Sequence, residues 1–221
     1  MLPKVVVHTE ISVDGRMDWM QDDGFLYYRL ISDWHPDAML SGSATMLVAY
    51  PSPDSEEELA AEAPEKQPGL QRLVVVDSRG QIRSWRQIQQ GEWWGEVTVL
   101  CSSTTPQAYL DYLEALGIDT IVVGEDHVDL RAALAALHDR YGIEVVRVDS
   151  GGILIGALLR AGLVDEISVL LNPSLVGGTS PRSCFVAPDL SSADGILPLR
   201  LTKVDNVEGD FVWLNYEVGR S

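Results

Sequence analysis

Short apolar runs alternate with segments of helical periodicity along most of the chain. Runs rich in Val, Ile and Leu predict buried strands, which we place at about residues 4–8, 38–40, 70–80, 95–103, 118–124, 143–149 and 164–173. Apolar side chains spaced three and four residues apart predict amphipathic helices, at about residues 25–34, 106–117, 128–142 and 150–162. A Gly-containing turn and a short helix follow the second strand.

This alternation predicts an α/β fold. Strands separated by helices of 10–15 residues are typical of βαβ units on a parallel sheet. Residues 196–203 and 210–218 instead alternate in polarity, which predicts a closing antiparallel hairpin. The expected architecture is therefore a mixed, mainly parallel sheet flanked by helices, in a single domain over residues 1–221. The acidic, Pro-rich residues 51–69 are expected to form a solvated loop or insertion.

Composition narrows the function classes. The 221 residues carry a net charge of −17, which argues against nonspecific binding to nucleic acid or to an anionic membrane. A phosphorylated ligand stays possible, because backbone N–H groups can bind an anion on an acidic protein. The two cysteines, an N-terminus that turns polar early, and the lack of a long apolar run predict a cytoplasmic protein.

Two adjacent glycines, Gly151 and Gly152, stand between a predicted strand and a predicted helix. A helix N-terminus offers N–H groups without partners and a partial positive charge, which suit a pyrophosphate, and missing Cβ atoms would let it approach the backbone. A tight turn explains the pair equally well. Neither the GxGxxG fingerprint nor a P-loop is present.

Several motifs in order resemble one family. The runs D-S-G-G-I-L (149–154), A-G-L-V-D-E-I (161–167) and N-P-S-L-V-G-G (172–178) resemble its E-G-G-x-x-L, G-L-V-D-E and P-x-L-V-G-G. I-S-V-D-G-R (11–16), S-G-S-A-T (41–45) and V-V-V-D-S-R-G (74–80) resemble three further motifs. The family is the reductase domain of riboflavin-biosynthesis deaminase/reductases and its stand-alone relatives, with a dihydrofolate-reductase-like fold.

The resemblance implies NADPH as the cofactor. Carried over by position, its contacts are Gly42, Thr45, Ser78, Arg79, Gly151, Gly152 and Ile153. The last three would line the pyrophosphate, and the first two would lie under a phosphate or the nicotinamide end. Ser78 and Arg79 would bind the adenosine 2′-phosphate, since arginine presents paired donors to phosphate oxygens. An ordinary polar turn is the alternative there.

The resemblance also implies substrate contacts at Asp14, Gly15 and Arg16, with Asp14 and Asp149 as catalytic candidates. Asp149 stands where the family has the Glu of E-G-G, and could position substrate or help deliver a proton. Arg16 replaces a lysine and keeps the charge. Asp14–Gly15 is also a common turn dipeptide, and Asp149 could simply favour a helix start.

The substrate half of the site departs further from the family than the cofactor half. The segment near Phe25 lacks the acid that the riboflavin enzymes carry there, since Asp22 and Asp23 are out of register. We therefore expect a homodimeric NADPH-dependent reductase of a ribosylamino-pyrimidine phosphate, with two alternatives left open. One is a same-fold reductase of another pterin-like or carbonyl substrate, and the other is a noncatalytic nucleotide-binding protein.

A metal site is not expected. The four histidines have no metal-ligand spacing, and the zinc signature of a nucleobase deaminase, H-x-E with P-C-x-x-C, is absent. If the riboflavin hypothesis holds, a separate protein must supply the deaminase step.

Overall fold

The computed structural model describes residues 1–20, 24–179 and 182–219, so Asp22 and Asp23 lie outside the described residues. These residues form two compact units, each discontinuous in sequence. The first comprises Met1–Pro3 and Asp37–Val146, and the second comprises Lys4–Pro36 and Arg147–Ser221. The expectation of a single domain over residues 1–221 stays a prediction.

The first unit is a parallel sheet with helices. Its strands are β2 (Ala38–Gly42), β3 (Arg72–Val76), β4 (Val97–Cys101) and β5 (Asp119–Val122), in the spatial order β5-β4-β3-β2. Its helices are α2 (Ser43–Ala49), α3 (Glu56–Ala60), α4 (Trp85–Gln89), α5 (Gln107–Ala115) and α6 (Leu130–Tyr141). The inward side chains form an apolar core in which Trp85, Tyr109 and Leu113 are fully buried.

Helix α6 shows how local sequence sets its ends. The Asp129 side chain accepts a hydrogen bond from Ala132 N at 3.0 Å, which satisfies one N–H of the first turn. Gly142 ends the helix in the left-handed region, with φ +68°, where a residue without Cβ is favoured.

Residues 51–69, predicted as a solvated loop or insertion, contain one short helix without buried residues. Helix α3 forms within this segment because Ser55 and Glu58 build a capping box, in which each side chain accepts from the other residue's backbone N–H. Helix α4 was not predicted either. It forms because the fully buried Trp85 anchors it to the core. It was not predicted because five residues are too few to show a helical period.

Strand β6 (Val145–Val148) is divided between the two units. Its last two residues, Arg147 and Val148, belong to the second unit. Its other strands are β1 (Lys4–Ser12), β7 (Glu166–Asn172), β8 (Leu199–Asn206) and β9 (Val212–Val218). Strands β1 and β7 are parallel, and β7-β9-β8 are antiparallel. Its helices are α1 (Gly24–Leu30) and α7 (Gly152–Arg160), with short 3-10 helices at Ile31–Trp34, Ala193–Gly195 and Glu208–Asp210.

The predicted fold class is confirmed. Strands and helices alternate as expected. The strand pairs β1–β7, β2–β3, β3–β4 and β4–β5 are parallel, and the C-terminal hairpin is antiparallel. The first strand of the hairpin ends at Asn206, whereas the sequence predicts its end at residue 203. Within the described ranges, no helix is both long and apolar enough to cross a membrane.

Candidate active site

A chain of buried polar side chains attaches helix α1 to the sheet of the second unit. Trp213 Nε1 donates to Ser168 Oγ at 2.7 Å, and Ser168 Oγ lies 2.9 Å from His8 Nδ1. His8 Nε2 lies 3.2 Å from the carbonyl oxygen of Tyr27, and the Tyr27 hydroxyl donates back to His8 O at 2.9 Å. Since a carbonyl only accepts, Nε2 carries the hydrogen and Nδ1 accepts from Ser168.

His8 is therefore a neutral structural residue. Burial lowers its pKa from 6.5 to about 3, against the hydrogen bond to Tyr27, and the nearby Arg147 guanidinium lowers it further. A ring that stays neutral at all ordinary pH values holds α1 in place but does not transfer protons.

A cavity of about 410 Å³ lies beside these hydrogen-bonded side chains. Its lining combines two carboxyl groups with aromatic and thioether side chains: Glu10, Met17, Trp19, Met20, Gly24, Tyr27, Tyr28 and Asp149. A second cavity, of about 590 Å³, also has Trp19 and Met20 in its wall and continues to the loop after β7. Concave sites with apolar walls and a few polar groups are typical of small-molecule binding.

Asp149 is the predicted catalytic residue that the structure places in the 410 Å³ cavity. It follows β6 directly, and about 26% of its side chain is exposed. Burial raises the pKa of this carboxyl, although Arg147 and the Tyr27 hydroxyl both lower it. A carboxyl group with a raised pKa keeps its proton to a higher pH than an ordinary aspartate does, which suits a proton donor.

Arg147 is the countercharge of Asp149. Its Nη1 lies 3.4 Å from Asp149 Oδ2, and its side chain is only 1% exposed. Within the described part of the chain, its Nε and Nη1 have no hydrogen-bond partner of good geometry. A buried guanidinium is costly unless it is paired, and Asp149 supplies the paired carboxyl group.

Asp14, the other predicted catalytic residue, has a different environment. It is exposed, and its carboxylate accepts from Ser12 Oγ at 2.7 Å and from the backbone N–H groups of Val176 and Gly177 at 3.0 and 2.6 Å. These hydrogen bonds lower its pKa from 3.8 to about 2. The structure thus shows Asp14 holding the loop after β7, outside the lining of either cavity.

The neighbours of Asp14 form the same turn. Gly15 has φ +78°, a conformation that favours glycine, and its N–H donates to Ser12 O at 2.9 Å. The Arg16 guanidinium donates to the carbonyl of Gly178. Gly15 and Arg16 are therefore brought together with the loop after β7, and their contact with substrate stays a prediction.

The glycine pair has a reason that the sequence did not suggest. Neither Gly151, with φ −70°, nor Gly152 is in the left-handed region. A Cβ on Gly152 would lie 2.0 Å from the carbonyl oxygen of Ser183, and one on Gly156 would lie 2.0 Å from that of Val186. Gly152 lacks a side chain because the protein's own backbone crosses α7 there. Gly151 and Ile153 are exposed at the helix start.

The remaining predicted cofactor residues lie in the first unit. Because β2 and β3 are parallel neighbours, with Gly42 opposite Val76, the residues after them share one edge of the sheet. Gly42 is the N-cap of α2 and Thr45 is in its first turn. Ser78 and Arg79 follow β3.

The turn after β3 is ordered around Ser78. Its Oγ accepts from Val128 N at 3.1 Å, and its carbonyl accepts from Thr105 Oγ1 at 2.7 Å. Arg79 is exposed. The structure therefore brings Gly42, Thr45, Ser78 and Arg79 to one edge of this unit.

Comparison with known proteins shows the family to which the chain belongs. The model of the RibD C-terminal domain family matches residues 3–213. The chain belongs to this family. It is 28% identical over 223 residues to the 2,5-diamino-6-ribosylamino-4(3H)-pyrimidinone 5′-phosphate reductase of Archaeoglobus fulgidus, covering 94% of each chain.

Two solved structures share the fold of this RibD C-terminal domain protein. A pyrimidine reductase-like protein from Corynebacterium diphtheriae is similar with a TM-score of 0.73 and 16% identity, covering 99% of this chain and 93% of the other. RibD from Acinetobacter baumannii is similar with a TM-score of 0.69 and 20% identity, covering 99% of this chain and 58% of the other. The resemblance inferred from the motifs is confirmed.

Glu10, Tyr27, Tyr28 and Arg147 are among the residues of the site that sequence reasoning missed in this family member. Two of them left a signal. Arg147 interrupts the buried run of β6, and Glu10 interrupts that of β1, where a charge inside an apolar strand indicates a partner or a cavity. Among the described residues, no three His, Cys, Asp or Glu side chains lie close enough together to hold a metal ion.

Proposed function

We propose that this chain is an NADPH-dependent reductase that converts 2,5-diamino-6-ribosylamino-4(3H)-pyrimidinone 5′-phosphate to its ribitylamino form. The observation that carries the proposal is the similarity, over 94% of both chains, to a reductase named for that substrate. The cavity that contains Asp149 supports it, because it combines a proton donor with walls suited to a flat ring.

The reaction needs a hydride at C1′ of the sugar and a proton on the nitrogen bonded to it. NADPH, when bound, supplies the hydride. Opening the ribose ring breaks the C1′–O bond, forms the C1′=N bond and moves a proton from the amino nitrogen to the ring oxygen. Hydride addition to C1′ then requires one further proton on that nitrogen, which stays bonded to C1′. The carboxyl of Asp149 holds such a proton, because its raised pKa keeps a larger fraction protonated than an ordinary aspartate would have.

The first unit fits the adenosine end of the cofactor. Arg79 is exposed at the turn after β3, and within the described residues no hydrogen bond or ion pair occupies its guanidinium. The Ser78 hydroxyl accepts from Val128 N and can still donate its own hydrogen. We infer that the two bind the 2′-phosphate, and that Gly42 and Thr45, at the same sheet edge, bind another part of NADPH.

The start of α7 fits a pyrophosphate. The first intrahelical hydrogen bond runs from Ile155 N to Gly151 O, so the N–H groups of Gly152, Ile153 and Leu154 have no acceptor within the helix. In this proposal Gly151, Gly152 and Ile153 contribute backbone N–H groups. Gly152 lacks a Cβ because the Ser183 backbone packs against it, and not because a ligand needs that space.

The loop around Gly15 and Arg16 is proposed to bind the substrate phosphate. Arg16 supplies the positive charge, and Asp14 keeps the loop ordered through its three hydrogen bonds. A pKa of about 2 makes Asp14 unsuitable as the proton donor near neutral pH, so the proposal assigns that role to Asp149 alone.

We also propose a cytoplasmic homodimer. Both cysteines, Cys101 and Cys184, are free thiols, in keeping with a reducing compartment. The edge strand β8 exposes Leu199, Leu201 and Val204, an apolar surface that a second copy could cover. Sedimentation equilibrium of the purified protein measures its mass, and a monomer at micromolar concentration contradicts this part.

The first experiment is titration of the protein with NADPH and NADH, followed by tryptophan and cofactor fluorescence. We expect NADPH to bind more tightly, and Arg79→Ala to weaken NADPH about 10- to 100-fold with little effect on NADH, since a charge-assisted phosphate contact is lost. Arg200→Ala, an exposed arginine on β8 paired with Glu217, is the matched control.

Turnover is then measured with the ribosylamino-pyrimidine phosphate, dihydrofolate and simple carbonyl compounds. Reduction of the first alone supports the proposal, whereas turnover of the others favours a same-fold reductase of different specificity. Binding of NADPH without hydride transfer to any of them favours the noncatalytic alternative, and binding of neither nucleotide contradicts the proposal altogether.

A further inference from the structure

Glu10 is the second carboxyl group of the 410 Å³ cavity. It lies on β1 on the same side as His8, two residues further along, and lines the cavity together with Asp149. Asn172 on β7 donates from Nδ2 to Glu10 Oε1 at 2.7 Å, and the Asn172 side chain is itself buried. A buried amide therefore orients this carboxyl group.

The walls around Glu10 suit a flat heteroaromatic ring. Trp19, Tyr27 and Tyr28 supply aromatic surface, and Met17 and Met20 supply polarizable thioethers that pack against rings. A carboxylate offers acceptors only, through two oxygens in one plane. It is thus complementary to a ring edge with two adjacent N–H donors.

The substrate of the proposed function has such an edge. A 2-amino-4(3H)-pyrimidinone presents an amino N–H at C2 beside N3–H, which can donate in parallel to a carboxylate. Hydrolytic deamination at C2 consumes water, releases ammonia and leaves a carbonyl there. That carbonyl oxygen would face an acceptor, which costs binding energy since neither group can donate.

We propose that Glu10 is the specificity-determining residue that recognises the 2-amino and N3–H edge of the pyrimidine ring. The inference rests on the proposed function and goes beyond it. This reductase then acts on the ring that still carries its 2-amino group, and the class of reaction that consumes its product is a hydrolytic deamination.

The test compares kcat/KM for the 2-amino substrate and its 2-oxo counterpart, in the wild type and in Glu10→Gln. Glutamine keeps an oxygen that can accept from Asn172, but replaces one acceptor of the ring edge with a donor. We expect the wild type to prefer the 2-amino ring, and Glu10→Gln to reduce that preference about 10- to 100-fold, mainly through KM for the 2-amino ring. The NADPH Kd should not change.

Glu208→Gln is the matched control, because Glu208 is an exposed carboxylate of the same unit that pairs with Arg29. A wild type that reduces neither ring overturns the proposed function. A wild type that is active but prefers the 2-oxo ring, or a Glu10→Gln variant with unchanged preference, overturns only the role of Glu10. If Glu10→Gln does not fold, Glu10→Asp, which keeps the carboxylate but withdraws it by one methylene, is measured instead, and an unchanged ring preference in that variant overturns the role of Glu10.

Discussion

The same seven-residue pattern, V-x-V-D-S-x-G, occurs twice along the chain with opposite consequences. Residues 74–80 carry it as VVVDSRG and residues 146–152 as VRVDSGG. In both, a buried strand ends at an aspartate. Asp77 is fully enclosed and its Oδ2 accepts from Gln81 N, Ile82 N and the Tyr109 hydroxyl at 2.8, 3.0 and 2.7 Å. Asp149 instead lines a cavity beside a buried arginine.

The difference comes from what packs on each segment. Around Asp77, the chain turns back at Gly80, where φ is +63° and a Cβ would lie 2.7 Å from the Tyr109 ring. Around Asp149, the chain enters α7 directly. The residue between the two valines of the pattern also differs, since Val75 contributes only apolar surface and Arg147 contributes a charge. A local pattern therefore predicts a strand end with an acid, but not whether that acid stabilises a turn or serves chemistry.

The largest expected effect is on stability, at Asp77. Asp77→Ala leaves two buried backbone N–H groups and the Tyr109 hydroxyl without their acceptor, so we expect the free energy of unfolding to fall by about 3 kcal/mol or more. Urea denaturation measures it. Asp77→Asn keeps one oxygen and should lose less. A loss below about 1 kcal/mol in Asp77→Ala would show that the turn does not depend on this carboxylate.

At Asp149 the expected effect is on catalysis. Asp149→Asn cannot deliver a proton, so kcat should fall about 100-fold or more, while NADPH affinity is retained. Steady-state kinetics and a cofactor titration check both. The control is Asp205→Asn, an exposed aspartate on β8 that pairs with Lys203. If Asp149→Asn keeps the wild-type kcat, Asp149 is not the proton donor and has a structural role, as Asp77 does.

Arg147→Met makes residues 146–152 more similar to residues 74–80, because it places an apolar side chain between the two valines. Because Arg147 lowers the pKa of Asp149, its removal should raise that pKa further. If protonated Asp149 is the donor, activity falls as pH rises through its pKa, and this limb of the kcat profile should move to higher pH.

Arg147→Met also leaves the buried Asp149 carboxylate without its countercharge, so we expect the free energy of unfolding, measured by urea denaturation, to fall at pH values above the pKa of Asp149. Arg147→Lys should restore part of the wild-type pH profile. A pH limb that does not move in Arg147→Met would exclude coupling between Arg147 and Asp149.

The smallest effect is expected at the serines that follow the aspartates. Ser78→Ala removes the acceptor of Val128 N, and we expect a loss of about 1 kcal/mol in the free energy of unfolding. If Ser78 also binds the cofactor, the NADPH Kd rises in parallel, whereas Ser150→Ala should leave the turn after β3 unchanged. A Ser78→Ala variant with wild-type stability would mean that water replaces the hydroxyl.

Patterns that depend on local spacing were predicted well. The strands up to β7, helices α1, α5, α6 and α7, and the closing hairpin follow from periodicity alone, with end errors of a few residues. Helices α3 and α4 were missed because each has five residues, too few for a period. The family resemblance was also available from motifs, since their order along the chain survives even where single residues change.

What the sequence by itself determined is the α/β alternation, the family and the position of Asp149 at a strand end. Only the tertiary structure decided that Asp149 lines a cavity with Glu10, that Asp14 holds a loop, and that Gly152 is small because Ser183 crosses it. The partners of these residues are distant in sequence: Asn172 is 162 residues from Glu10, and Val176 is 162 residues from Asp14. Burial, pKa and close packing depend on such neighbours, and local periodicity carries no information about which of them meet.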